Sequence, residues 1–171
     1  LLLAGGIAER ADVGRALEAG ADGAVAGTRF LLSEESRAHP TYRQLLLDAD
    51  STLLTDLFGM GWPAPHRVVA NSATERWLER APSGSDETRN APALNRAINR
   101  TSAPTARYMP AALQRRLVAA QRSSSRLLTP QSVTDDGPDT LVDAGPLYAG
   151  ETVRRIADVR PAAEIVAVLT P

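Results

Sequence analysis

Two glycine-bearing stretches, Leu3-Ala4-Gly5-Gly6-Ile7 and Ala24-Val25-Ala26-Gly27-Thr28-Arg29-Phe30, constrain this chain more than any other feature. Each follows or ends an apolar run, and the segment between them has helical spacing, so together they read as a βαβ unit with an opening at both strand ends. Glycine lacks a Cβ, so Gly5, Gly6 and Gly27 let the backbone turn sharply and bring its N–H groups close to an anion. Thr28 adds a hydroxyl donor. A helical turn beginning at Thr28 presents unpaired N–H groups and the positive end of a dipole, both of which favour a phosphate dianion. In a (β/α)8 barrel the loops after the last two strands, with the start of a short extra helix, commonly make such a phosphate site, and the order of parts here fits that placement. On physics alone, the same glycines also suit ordinary strand-end turns without a ligand.

The pass along the chain divides it into four parts. Residues 1–48 hold the βαβ unit and a following helix. In the first helix Asp12 is the expected N-cap, Val13, Ala16, Leu17 and Gly20 form the stripe facing the sheet, and Gly20 is the C′ stop. The next helix enters at Pro40 and packs through Tyr42, Leu45 and Leu46. Residues 49–82 read as a strand at 53–57, a Gly59-Met60-Gly61 turn, a short strand at Val68-Val69 and a helix capped by Asn71 or Ser72. Residues 83–145 are rich in Ser, Thr, Pro, Asn and Arg and read as a loose polar lobe in which only 111–121 is helical. Residues 146–171 read as two short helices divided near Arg160-Pro161.

Composition narrows the chemistry. The chain has no cysteine, which excludes disulfides, thiolate chemistry and Cys-ligated metals and fits a reducing cytoplasm. All nineteen basic residues are arginine, so Schiff-base and lysine general-base chemistry are excluded as well. No apolar run approaches the roughly 20 residues of a membrane helix, and no membrane partner is expected. The net charge of −1 conceals an asymmetry, because Ala93 to Arg126 carries seven arginines and no acid. Without interleaved aromatic residues this segment reads as a solvated insert, and no nucleic-acid partner is expected.

Other candidates carry less. His39 and His66 lack metal-ligand spacing, and no metal site is expected. His39 reads as a cap or packing group before Pro40. Glu34-Glu35 and Asp135-Asp136 read as a helix start and a solvated loop in place of acid–base pairs. Ser123-Ser124-Ser125 has no nucleophile-elbow context. Arg29 is expected in a structural ion pair, and Trp62 and Trp77 are expected as core or interface anchors.

Three blocks in order then carry a resemblance. Gly5-Gly6-Ile7, Glu18-Ala19-Gly20-Ala21-Asp22-Gly23, Gly27-Thr28-Arg29-Phe30-Leu31 and the run from Ser33 to Tyr42 form the first. The second is Trp62, Arg67-Val68-Val69-Ala70-Asn71 and Glu75-Arg76-Trp77, and the third runs from Leu147-Tyr148-Ala149-Gly150-Glu151-Thr152-Val153 through Pro161-Ala162-Ala163-Glu164-Ile165-Val166. They resemble the C-terminal part of the nitronate monooxygenase (2-nitropropane dioxygenase-like) family.

The resemblance implies an α/β fold: the last two βα units of a (β/α)8 TIM-type barrel, followed by a mostly helical, loop-rich C-terminal region. Such a barrel takes about 250 residues to close, so the chain is expected to be a portion of a longer protein or a truncated gene product. The implied cofactor is FMN, bound through Gly5, Gly6, Gly27 and Thr28. The implied reaction oxidises an alkyl nitronate with O2 to a carbonyl compound and nitrite. The family's catalytic histidine lies upstream of these blocks, so no catalytic residue is assigned. FMN-dependent enoyl-acyl-carrier-protein reductases and NADH:quinone reductases look similar in the same blocks. A non-catalytic remnant with a basic interaction lobe is the alternative from another class.

Overall fold

The computed structural model describes residues 1–78, 88–106 and 108–171. The expected βαβ unit is present: β1 (Leu2–Ala4) and β2 (Gly23–Val25) pair in parallel, with Leu2 opposite Gly23 and Ala4 opposite Val25, and α1 (Arg10–Glu18) connects them. Gly20 stops α1 with φ +90°, a left-handed conformation that favours glycine. The N-cap differs from expectation. Glu9 occupies it, and Asp12 sits three residues into the helix, where its carboxylate accepts the Ala8 and Glu9 N–H groups at 2.8 and 2.9 Å. An acidic side chain at this position satisfies donors that the helix start leaves unpaired, which is the same work seen from the other side. The packing stripe is also narrower than its spacing suggested. Ala16 is buried and Val13 packs beside it, whereas Leu17 faces solvent.

The chain continues through α2 (Thr28–Leu31) and α3 (Pro40–Leu47), whose first residue is the proline expected to start it. Tyr42 and Leu46 are buried as expected. A separate antiparallel sheet follows, with β3 (Leu53–Thr55) and β5 (Leu147–Tyr148) flanking β4 (His66–Val69). Tyr148 therefore belongs to a strand, where the sequence suggested a helix. Asn71 caps α4 (Ser72–Trp77), accepting the Thr74 N–H while its own amide donates to the Val142 and Gly145 carbonyls.

The sequence reading allowed one helix within 83–145, and the structure contains α5 (Ala93–Ala106), α6 (Ala111–Ala120) and α7 (Thr140–Ala144). The boundary between the second and third parts, at 82/83, lies outside the described residues. The polar composition of 83–145 argued against α5, but Asn95 and Asn99, four apart on one face, are both buried and donate to the Arg126 and Asp56 carbonyls. Buried amides paired with carbonyls fix this helix where an apolar stripe usually does. The chain ends with a 3₁₀ turn, Glu151–Arg155, and α8 (Ala162–Leu169) entered at Pro161. The pair of short helices expected here is thus one 3₁₀ turn and one α-helix.

Among the described residues, three apolar clusters result. The largest joins Leu32, Tyr42, Leu46, Val133, Leu141 and Leu147. A second gathers Leu57, Phe58, Val68, Ala73 and Leu128 around the antiparallel sheet. The third, of Ile7, Ala16, Ile165 and Leu169, seats α8 against the βαβ unit. No closed barrel exists among the described residues, and none of their helices is long and apolar enough to cross a membrane.

Candidate functional site

Because β1 and β2 are neighbours running the same way, Gly5-Gly6 and Ala26-Gly27 leave the pair at one end. Gly5 and Gly6 have φ of +92° and +75°, so the backbone itself calls for glycine at both. Gly27 differs. Its φ of −99° and ψ of −67° suit any residue, and a Cβ built on it meets nothing within 4 Å. Neither conformation nor packing within the chain explains a glycine there, which leaves room for a group approaching from outside.

Thr28 opens α2, where the first N–H groups have no partner within the helix. Its hydroxyl is buried and accepts the Gly150 N–H at 2.8 Å, and a hydroxyl that accepts retains a proton to donate. Arg29 turns away to a structural ion pair, as expected. Its guanidinium donates to the Asp158 carboxylate at 2.7 Å, to the Asp158 carbonyl at 3.0 Å and to the Leu32 carbonyl at 3.3 Å. Burial pushes the Asp158 carboxyl up, but hydrogen bonds from Arg160 and Arg29 outweigh it and hold the group below the usual range.

The first glycine stretch is held from the far end of the chain. Arg155 donates to the Gly6 carbonyl at 3.0 Å, to both Asp12 oxygens at 2.8 and 3.2 Å, and to Glu9 at 2.7 Å. Burial of Asp12 opposes its ionisation, yet the Arg155 hydrogen bonds and the Ala8 and Glu9 N–H groups bring its pKa down to about 2. Arg15 also contacts this carboxylate. A cavity of about 210 Å³ adjoins the stretch, lined by Leu3, Gly5, Gly6, Ile7, Asp12 and Arg15 among others.

The remaining candidates take structural places. His39 caps α3, its Nδ1 accepting the Thr41 N–H at 3.2 Å. Glu35 accepts the Ala162 N–H ahead of α8, and Asp135 and Asp136 pair with Arg37. Trp77 is the anchor expected of it, its indole donating to the Ser123 carbonyl at 2.8 Å with the Arg126 guanidinium 5.0 Å above the ring. Trp62 is 63% exposed and touches His66 edge-on, so it is not a core anchor. Burial lowers the His66 pKa, against the pull of the Trp62 main chain and Asp56, so the ring is neutral in β4 beside Tyr148. Among the described residues no group of His, Cys, Asp and Glu is placed to hold a metal ion.

Thus the structure brings Gly5, Gly6, Gly27 and Thr28 to one end of one strand pair. The sequence reading missed Arg155 and Gly150, which reach these loops from residues 149 and 122 positions away. No local pattern marks such contacts.

Comparison with known proteins follows the same outline. A family model described as nitronate monooxygenase matches residues 1–171. A probable nitronate monooxygenase of Bacillus subtilis is 35% identical over 81 residues, covering 46% of this chain and 21% of that protein. A nitroalkane oxidase from Streptomyces ansochromogenes superposes with a TM-score of 0.59 at 24% identity, covering 98% of this chain and 37% of that one. FabK from Thermotoga maritima gives 0.56 at 21% identity, covering 98% and 42%. The two structures establish a shared α/β fold. The chain spans about a fifth of the curated relative and about two fifths of the solved structures.

Proposed function

This chain belongs to the nitronate monooxygenase family, and on that premise we propose that it forms the C-terminal part of a flavin-dependent oxidoreductase whose FMN phosphate is held between the two glycine stretches. On this reading β1 and β2 are the last two strands of a TIM-type barrel. The observation that carries it is Gly27, at the head of a helix and at the same strand end as Gly5 and Gly6, where neither the backbone conformation nor any neighbour within 4 Å of a built Cβ calls for glycine. FMN, when bound, would supply the electron transfer from an alkyl nitronate to O2 that yields a carbonyl compound and nitrite.

The chain's own residues bind and orient. The N–H groups of Gly5, Gly6 and Gly27 and of the first turn of α2 would hold the phosphate, and Thr28, whose oxygen accepts the Gly150 N–H, would add its hydroxyl proton. Arg29, engaged by Asp158, fixes α2 and makes no phosphate contact. No residue of this chain is assigned a proton transfer.

Gly27→Val tests the reading, because it places a branched side chain where the phosphate must meet the backbone. The variant, purified from the complete open reading frame, should lose flavin on gel filtration as followed by visible absorbance. Thr28→Ala should weaken binding by only about 0.5–3 kcal/mol. Flavin retained equally by wild type and Gly27→Val would overturn the assignment. Anaerobic reduction of the bound flavin by nitronate, by NADH or by an enoyl thioester then identifies the substrate class.

A further inference from the structure

Asp12 and Arg155 form the densest polar cluster against the first glycine stretch, and resting on the flavin reading above, their geometry assigns them more than a structural role. Arg155 belongs to the 3₁₀ turn, and its two terminal nitrogens make four hydrogen bonds, to Glu9, Gly6 and both oxygens of Asp12. Those bonds occupy all four terminal N–H groups, so their effect on a ligand runs through the backbone. A trans peptide is planar, with its C=O and N–H pointing opposite ways. A Gly6 carbonyl drawn to Arg155 therefore turns the Ile7 N–H away from Arg155. Asp12 takes up the next two donors, Ala8 and Glu9, and removes them from the set offered to a ligand.

We propose that Arg155 is the positioning residue of the phosphate site: by holding the Gly6 carbonyl it orients the Gly6–Ile7 peptide so that the N–H faces the cofactor phosphate. Asp12 anchors Arg155 for this purpose, being 5% exposed and bonded to it through both oxygens. The pairing has a second effect on an anion. A buried carboxylate next to a phosphate repels it, and two arginines, Arg15 and Arg155, offset that charge. The contribution is confined to the phosphate end of the cofactor.

Riboflavin, which is FMN without its phosphate, separates this role from general stability. Dissociation constants for FMN and riboflavin are measured by flavin fluorescence quenching for wild type, Arg155→Gln and Arg155→Lys. The wild-type preference for FMN over riboflavin should fall by about tenfold or more in Arg155→Gln, with riboflavin affinity within about twofold. Arg155→Lys should lose the preference too, because one ammonium cannot reach the Gly6 carbonyl and both Asp12 oxygens as a planar fork does. If the glutamine variant yields no folded protein, the lysine variant carries the test. An unchanged FMN preference in either variant overturns the proposal, and so does an equal loss of both flavins. A wild type that binds riboflavin and FMN alike overturns the underlying reading of the site, and this inference with it.

Discussion

The βαβ unit and the antiparallel sheet solve the same burial problem to different extents. Around β3, β4 and β5, Leu57, Phe58, Val68 and Leu147 are fully enclosed. On the βαβ unit Leu1, Leu2 and Val25 stand exposed, and the apolar cover comes from α1 through Ala16 and from α8 through Ile165 and Leu169. Parallel strands ordinarily have both faces covered, whereas antiparallel sheets tolerate one wet face. Here the antiparallel sheet is the better protected. The region carrying the glycine stretches thus leaves apolar strand residues uncovered, while the antiparallel sheet encloses its own.

Phe58→Ala and Leu2→Ala put the comparison at greatest risk. Truncating the fully buried Phe58 should cost about 3–5 kcal/mol, whereas Leu2, 66% exposed, should change stability by no more than about 0.5 kcal/mol. Urea titration of the two variants compares them, and equal costs would erase the distinction.

A smaller effect lies at the seam between the regions. Asp12 ionises more readily folded, at about 2, than its ordinary value of 3.8. Its contribution is therefore complete above the unfolded value and is lost as pH falls through the folded one. That loss should amount to about 2 kcal/mol. Unfolding free energies at pH 4 and pH 2 should thus fall further in wild type than in Asp12→Asn by about this amount, and parallel pH profiles would remove Asp12 from the seam.

The smallest effect is expected on the arginine-rich surface. Arg115 and Arg116 are exposed on α6, so their replacement by glutamine should alter stability by less than about 0.5 kcal/mol and leave flavin content unchanged. A mobility-shift titration should detect no nucleic-acid binding in either protein. Binding that weakens steeply with salt and disappears in the double variant would instead make this surface functional.

What could be read from sequence was local. Gly20, Pro40 and Asn71 announced helix ends because each acts on the backbone beside it, and the two glycine stretches announced strand ends for the same reason. α5 was missed because its buried face is amide, and its partners, the Arg126 and Asp56 carbonyls, are distant in sequence. The N-cap of α1 was misplaced by three residues because Asp12 serves the helix start from within. Of the two places expected for Trp62, core and interface, its exposure excludes the core. At the candidate site the glycines were legible and their fastening was not.

That fastening has a consequence for how the molecule is made. The ties that hold the two glycine stretches come from Gly150, Arg155 and Asp158, between 122 and 149 residues later in the chain. During synthesis the glycines emerge first and wait for their restraints, so these loops are among the last features to be set in place. A ribosome that stalls before residue 150 releases a chain with its antiparallel core largely translated but with none of these three ties. Fixing of the two glycine stretches is then a late event, and it reports that translation has run to the end of this segment.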